Sequence, residues 1–212
     1  MSRPRVLLAD DHKIVTEGLK GLLEPEFELV GTVEDGRALL AAAEKLRPDV
    51  IVADISMPLL NGIDSVRQIK KVHDEIKVVF LTMHPDVTYA VSAFEAGASG
   101  YVLKHSAPTE LVAAIRSALR GKTFVTPLLA GEFMQRSKER ATRRDESTRL
   151  TERQREILQL LAEGKSAKEI AAVLNISSRT VEFHKYHIMK DLGLKSAAEL
   201  VHYAVRHGII TK

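Results

Sequence analysis

The chain has 212 residues, a formal net charge of +3 and 45% hydrophobic residues, a composition typical of a globular protein of one or two domains. It contains no cysteine, which excludes disulfides, thiolate catalysis and cysteine-ligated zinc sites. No run of about 18 apolar residues occurs, so we expect no membrane span and a cytoplasmic location.

Charge is distributed unevenly along the chain. Residues 1–126 carry 15 basic and 17 acidic side chains, whereas residues 127–212 carry 16 and 11. A basic C-terminal part is typical of proteins that bind a polyanion such as nucleic acid. A solvated basic surface explains the same imbalance, so charge alone leaves both interpretations open.

The N-terminal half alternates short apolar runs, rich in β-formers, with amphipathic stretches. The apolar runs predict strands at 5–9, 28–33, 49–53, 77–81 and 99–103. The amphipathic stretches predict helices at 13–23, 36–46, 62–73, 87–96 and 108–120. Five βα repeats favour a doubly wound, five-stranded parallel sheet of the flavodoxin-like class, an α/β fold with helices on both faces. Ligands of such sheets bind outside the carboxyl ends of the strands.

A change of pattern after this half predicts a linker. Residues 127–134 have the composition of a short helix, whereas residues 136–149 are highly charged and almost devoid of apolar residues. We therefore predict a domain at 1–122, a linker at 123–148 and a second domain at 149–212.

The second domain has the signals of four short helices. Thr151 with Gln154, and Ser166 with Glu169, fit capping boxes that begin the first two helices. The third begins at Ser177 or Ser178, and the fourth begins at Ser196. Four helices in about 60 residues predict a small all-α helix-turn-helix domain.

Five polar residues of the N-terminal half follow the ends of strands and so converge at one edge of the predicted sheet: Asp10, Asp11, Asp54, Thr82 and Lys104. Each also has an ordinary structural interpretation, and Asp11 alone fits a helix N-cap. Three adjacent carboxylates repel unless a cation lies among them, and hard oxygen ligands suit Mg²⁺. With a lysine and a threonine, this edge suits a phosphoryl group. Asp54 follows the predicted central strand and is the best candidate for a nucleophile that forms an aspartyl-phosphate.

Residues 5–120 resemble the receiver domain of bacterial response regulators. The resemblance depends on the pair DD at 10–11, DISMPLLNG at 54–62, LT at 81–82 and YVLK at 101–104. It implies that Asp54 accepts a phosphoryl group from a sensor histidine kinase. It further implies that Asp10, Asp11, Asp54 and the backbone carbonyl of Ser56 hold Mg²⁺.

The same resemblance assigns roles to the remaining residues of this edge. Lys104 pairs with the phosphoryl oxygens, and Thr82 and Tyr101 form the switch that responds to phosphorylation. Ser56 and His84 flank the site and tune the lifetime of the phosphate.

The third helix of the second domain has the features of a DNA recognition helix. Val181, His184 and Ile188 fall on one face, toward a small core. Polar and aromatic residues lie elsewhere, and an exposed Phe183 would pack on a thymine methyl while Glu182 accepts from cytosine N4. Phosphate contacts are predicted for Lys168, Arg179, Lys185, Lys190 and Lys195, and further DNA contacts for Thr180, Glu182, Phe183, Tyr186 and His187.

Residues 149–210 resemble the LuxR-type helix-turn-helix, through LTERQREIL, LAEGKSAKEIA, LNISSRTVEFH and IMKDLGLKSAAEL. A receiver, a linker and this module together are typical of the NarL/FixJ response regulators. Positions 182, 183 and 186 depart from the family, which often has basic or small residues there. By resemblance, Leu200, Val201 and Ala204 form the interface of a DNA-bound homodimer; the alternative is that they pack within the domain.

Three functions compete. The first is a transcriptional regulator, not an enzyme, that binds double-stranded DNA and is active as a homodimer. Phosphorylation of Asp54 would promote its dimerisation, the release of its recognition helix, or both. The second is a Mg²⁺-dependent phosphatase, although such an enzyme usually has a second acid two residues after its nucleophile, where this chain has Ser56. The third is a DNA-binding protein whose receiver no longer responds to phosphorylation.

Overall fold

The computed structural model describes residues 3–142 and 150–210, with side chains to residue 138 in the first range. The chain divides into two compact units between residues 143 and 144. Within the described ranges, no helix has both the length and the apolarity that a bilayer crossing requires.

The first unit is a parallel sheet with helices on both faces. The strands are β1 Arg5–Ala9, β2 Glu28–Val33, β3 Val50–Ala53, β4 Lys77–Thr82, β5 Gly100–Leu103 and β6 Phe124–Val125. The helices are α1 Lys13–Leu23, α2 Gly36–Leu46, α3 Gly62–Val72, α4 Val87–Glu95, α5 Ala107–Leu119 and α6 Pro127–Thr142, with a 3₁₀ turn at Lys104–Ser106. The strand order is β2-β1-β3-β4-β5-β6, and all five pairings are parallel.

The core has two layers because successive residues of a strand face opposite sides of the sheet. Leu7 and Ala9 of β1 pack with apolar residues of α2, α3 and α4 on one side. Val6 and Leu8 pack with apolar residues of α1 and α5 on the other. The central strand β3 is fully buried, which explains its unbroken apolar sequence.

The sheet has six strands in the described ranges, one more than the sequence predicts. β6 consists of two residues, too few for a periodic signal, and Val125 pairs with Tyr101 of β5. α6 is also longer than the short helix predicted at 127–134 and extends through the first part of the predicted flexible segment. Leu129 of α6 is buried in the sheet core, and Phe133 packs on Phe94 of α4 with ring centroids 4.8 Å apart. The first unit therefore continues past residue 122, the predicted boundary, and the remainder of the predicted linker, residues 143–148, lies outside the described residues.

The second unit consists of α7 Glu152–Ala162, α8 Ala167–Leu174, α9 Ser178–Asp191 and α10 Ala197–Arg206. The capping boxes predicted at Thr151 and Ser166 are both present. Ser177 caps α9, and Ser196 caps α10. These caps account for the close agreement between predicted and observed helix starts.

Thr126, the residue before α6, forms hydrogen bonds with the backbone of β5. Its N–H donates to the carbonyl of Tyr101 over 2.9 Å, and its hydroxyl accepts from the N–H of Leu103 over 3.1 Å. The hydroxyl also donates to Oε2 of Glu110 over 2.7 Å, and Thr126 is 2% exposed. A buried group that satisfies both a donor and an acceptor is costly to remove.

We predict that Thr126→Val destabilises the protein by about 1–3 kcal/mol, because the buried N–H of Leu103 loses its acceptor. Urea unfolding of the variant beside the wild type measures the difference. Thr126→Ser is the matched control, since it keeps the hydroxyl, and it should stay within about 1 kcal/mol of the wild type. A Thr126→Val variant as stable as the wild type would mean that the hydroxyl contributes nothing.

Candidate functional site

The carboxyl edge of the sheet brings two buried carboxylates to one ammonium group. Asp10 follows β1, Asp54 follows β3, and Lys104 follows β5. Nζ of Lys104 lies 2.7 Å from Oδ2 of Asp54 and 2.7 Å from Oδ2 of Asp10. Both carboxyl residues are 4% exposed. The predicted convergence of these three residues is confirmed.

The charges at this edge do not balance. Burial raises the pKa of Asp54, the Lys104 ammonium opposes that rise, the Asp10 carboxylate adds to it, and the net direction is upward. Burial lowers the pKa of Lys104, but the carboxylates of Asp54 and Asp10 outweigh burial and raise it overall. Lysine therefore stays charged, and one positive charge faces two carboxylates.

Asp11 is not a helix cap, contrary to its interpretation in isolation. The N-cap of α1 is His12, and no side chain caps this helix. The side chain of Asp11 is 35% exposed, and its Oδ1 lies 2.8 Å from Nδ1 of His12. Asp10 Oδ1 accepts from the N–H of His12 over 2.9 Å. Asp11 therefore caps no helix, and its carboxylate lies near those of Asp10 and Asp54.

The edge fits a divalent cation. Asp10, Asp11, His12 and Asp54 each offer one ligand atom, and these atoms all lie within 4.8 Å of one another. Oδ2 of Asp10 forms its ion pair with Lys104 but accepts no well-aligned hydrogen bond, although it is buried. A buried carboxylate oxygen without a hydrogen bond is a suitable ligand for a hard cation. The sequence interpretation missed His12, whose position directly after the acidic pair was the available signal.

His84, in the loop after β4, connects the two predicted switch residues. Its N–H donates to Oγ1 of Thr82 over 3.2 Å, and its carbonyl accepts from the hydroxyl of Tyr101 over 2.9 Å. Its Nε2 lies 2.8 Å from Oγ of Ser56, and its ring stacks on Tyr89 of α4 with centroids 4.7 Å apart. Thr82 and Tyr101 are fully buried, and burial raises the pKa of Tyr101, so its hydroxyl keeps its proton. A movement of this loop therefore changes the contacts of both switch residues and of α4.

The segment after Asp54 is held close by a glycine. A Cβ at Gly62 would lie 2.0 Å from the carbonyl oxygen of Asp54, so only glycine permits this approach. Asn61 caps α3 by accepting from the N–H of Asp64 over 2.9 Å. The cap and the glycine together fix the loop that carries Ser56.

A second surface lies on α9. Val181 and Ile188 are buried in the domain, and His184 is half-buried, where burial lowers its pKa. On the opposite side, Phe183 is 60% exposed and Tyr186 is 63% exposed. Of the other predicted DNA contacts, three are half-buried, namely Thr180, Lys185 and His187. The exposed ones are Lys168, Arg179, Glu182, Lys190 and Lys195.

Two of the three residues predicted for the dimer interface are buried inside the domain. Leu200 is 3% exposed and Ala204 is fully buried, because this face of α10 packs within the domain. Packing within the domain, the alternative interpretation, is therefore correct for both. Val201 is 37% exposed and remains available to a partner.

Two family models match the chain. The response regulator receiver domain matches residues 6–116, and the luxR family of bacterial regulatory proteins matches residues 148–204. The transcriptional regulatory protein MctR of Rhizobium johnstonii is 38% identical over 210 residues, with 98% of this chain and 96% of MctR covered. The oxygen regulatory protein NreC of Staphylococcus epidermidis is 37% identical over 215 residues, with 97% and 99% covered.

Solved structures of a response regulator also align with the chain. The RcsB response regulator of Salmonella typhimurium, in a structure on conformational dynamism for DNA interaction, aligns with a TM-score of 0.65 and 31% identity, over 98% of this chain and 99% of RcsB. The RcsB–DNA complex aligns with a TM-score of 0.59 and 30% identity, over 95% and 98%.

We predict that Asp54→Asn stabilises the metal-free protein at neutral pH. Because the folded pKa of Asp54 is raised, its ionised form disfavours folding, and this penalty grows as the pH rises from the ordinary pKa of 3.8 through the folded pKa. Asparagine removes the penalty, while Lys104 keeps Asp10 as its partner. The thermal midpoint should rise by a few degrees, the effect of about 1 kcal/mol in a chain of this size.

Thermal unfolding in EDTA across pH checks this prediction, with the exposed Asp74→Asn as a matched control that should change little. The gain should disappear at acid pH, where the wild-type carboxyl is protonated. A lower midpoint for Asp54→Asn at neutral pH would show that the ion pair with Lys104 outweighs the effect of burial.

We also predict that Asp11→Ala removes stabilisation by Mg²⁺ without unfolding the protein. A cation at 100 times its dissociation constant stabilises a folded protein by about 2.7 kcal/mol. The variant should lose most of this gain, because one ligand is missing, and should keep its metal-free midpoint, because Asp11 caps no helix. Thermal unfolding with and without Mg²⁺ measures both, and Glu17→Ala, at an exposed position of α1, is the control. Loss of helix in metal-free Asp11→Ala would restore the capping interpretation.

Proposed function

We propose how this chain, which belongs to the two-component response regulators that join a receiver to a LuxR-type DNA-binding domain, is switched. A sensor histidine kinase phosphorylates Asp54, and the phosphorylated protein binds double-stranded DNA as a homodimer. Both the DNA and the kinase's phosphorylated histidine are cytoplasmic in bacteria, so we place the protein there.

The observation that carries the proposal is the geometry of Asp54. Its carboxyl group lies at the end of the central strand, buried but at the open edge of the sheet, 2.7 Å from the ammonium of Lys104. A carboxylate oxygen attacks the phosphorus of phosphohistidine, the P–N bond breaks, and the imidazole leaves with the electron pair and takes up a proton. Lys104 then pairs with an oxygen of the transferred group instead of with Asp54 alone.

The acidic residues support Mg²⁺ as the cofactor. Asp10, Asp11 and Asp54 are the carboxylates that would hold it, with the Ser56 backbone carbonyl as the further ligand implied by the family. When bound, Mg²⁺ neutralises negative charge on the phosphoryl oxygens. Asp10 is already rigid, because its Oδ1 accepts from the N–H of His12.

Phosphorylation would act on the loop that His84 occupies. A phosphoryl group on Asp54 offers a new hydrogen-bond acceptor to the hydroxyl of Thr82, which now accepts from the N–H of His84. The hydroxyl of Tyr101 donates a hydrogen bond to the backbone carbonyl of His84. A two-state loop with these contacts can pass the change to α4.

The homodimer is proposed from the relatives. One of the similar solved structures contains two RcsB dimers bound to two parallel DNAs. Val201, the exposed member of the predicted α10 set, is the residue that remains for such an interface.

We further propose that the protein is not a turnover enzyme. A phosphatase that uses an aspartyl-phosphate usually has a second acid two residues after the nucleophile, and Ser56 stands at that position. Turnover of a phosphomonoester by the purified protein would contradict this proposal.

We predict that a small acyl phosphate with Mg²⁺ labels the wild type with one phosphoryl group and that Asp54→Asn abolishes the label. Amide nitrogen and oxygen are far weaker nucleophiles than carboxylate. Intact mass spectrometry measures the label, and Asp74→Asn, the same substitution at an exposed site on the opposite edge, should label like the wild type. Stoichiometric labelling of Asp54→Asn would contradict the assignment of the acceptor.

DNA binding by the wild type, Asp54→Asn and Asp74→Asn tests whether phosphorylation changes the affinity for DNA. The phosphodonor should tighten binding of the wild type and of Asp74→Asn but not of Asp54→Asn. Affinity that ignores both the phosphodonor and Asp54→Asn would favour a receiver that no longer controls the DNA-binding domain.

A further inference from the structure

The exposed side of α9 carries a cluster of aromatic rings. Phe183 and Tyr186 are 60% and 63% exposed, although large aromatic side chains are usually buried. The His187 ring contacts both of them, with centroids 4.4 Å from Phe183 and 5.5 Å from Tyr186. The rings therefore contact one another and form an apolar surface that is exposed to water, which is energetically unfavourable.

Exposed cations stand at both ends of this surface. Arg179 lies four residues before Phe183, and Lys190 lies four residues after Tyr186, so the four side chains follow one face of the helix. We call these four residues the recognition stripe. From Arg179 to Lys190 the helix rises about 16 Å, which exceeds the roughly 12 Å width of the DNA major groove. The two cations can therefore reach phosphates on either side while the rings face base edges between them.

Glu182 gives the same face an unusual acceptor. Its carboxylate is 58% exposed, and its ion pair with Lys185, at 4.0 Å, is long and weak. A carboxylate is repelled by phosphates, so at the centre of a DNA-binding face it requires a donor on a base. The exocyclic N4 amino group of cytosine is such a donor in the major groove.

We propose that this protein, given the DNA binding described above, reads its site through thymine methyl groups against Phe183 and a cytosine amino group against Glu182. Arginine and lysine, the usual readers of guanine, stand at the ends of the recognition stripe rather than at its centre. The site is therefore a duplex whose central contacts are pyrimidine substituents, and the specificity of the protein depends on methyl groups.

The test removes those methyl groups without changing any base pair. Sites are first selected from a random duplex pool with the full-length protein, with and without a small acyl phosphate and Mg²⁺. Each thymine of the selected site is then replaced by uracil. One or more replacements should weaken binding about fourfold each, the effect of withdrawing one buried methyl group.

Three variants identify the residues that are responsible. Phe183→Ala should bind the thymine and uracil duplexes equally, and its thermal midpoint should stay near that of the wild type, because the ring is exposed. Glu182→Gln should relax the preference for cytosine at one position. Lys190→Ala is the matched control: it should weaken both duplexes alike and reduce the salt dependence of binding by about one phosphate.

The outcomes separate this inference from the function on which it rests. Failure to select any specific duplex would overturn the proposed DNA-dependent function, and this inference with it. Selected sites that bind equally well with uracil, or a Phe183→Ala variant that still distinguishes thymine from uracil, would overturn the inference alone. Tighter DNA binding by Phe183→Ala would also overturn it, because the ring would then cover a protein surface instead of a base.

Discussion

The structure depends on an incomplete charge balance at the carboxyl edge of the sheet. Two buried carboxylates, Asp10 and Asp54, share the single ammonium of Lys104, and a third carboxylate, Asp11, lies beside them. Buried charges of one sign in excess raise the free energy of the folded state. The same excess makes the edge suitable for a divalent cation, so the arrangement that disfavours the metal-free fold also favours the phosphoryl transfer proposed for Asp54.

The strand β5 links this edge to the rest of its unit. It carries Tyr101, Lys104 follows its last residue, and one of its edges pairs with β6. Thr126 then ties the start of α6 to the backbone of Tyr101 and Leu103. A change at Asp54 that moves β5 or the His84 loop would therefore also affect α4 and α6. These two helices pack on each other through Phe94 and Phe133.

The two functional surfaces follow opposite physical rules. At the carboxyl edge, polar groups are buried, and their function arises from the energy of that burial. On α9, apolar rings are exposed, and their proposed function is to contact the DNA that would cover them. Each surface departs from the ordinary distribution of polar and apolar residues, and such departures mark functional sites more reliably than any single residue type.

The sequence by itself determined most helix and strand boundaries, and it identified the carboxylates and the lysine at the carboxyl edge of the sheet. Strong periodicity and capping residues such as Thr151 and Ser166 fix helices locally, and parallel strands place their carboxyl ends at one edge. Only the tertiary structure decided what depends on contacts distant in sequence. The strand β6 has two residues and exists because β5 offers it a free edge. Likewise, the apolar face of α10 looks the same in sequence whether it meets a partner or its own domain, and packing against the domain buries Leu200 and Ala204.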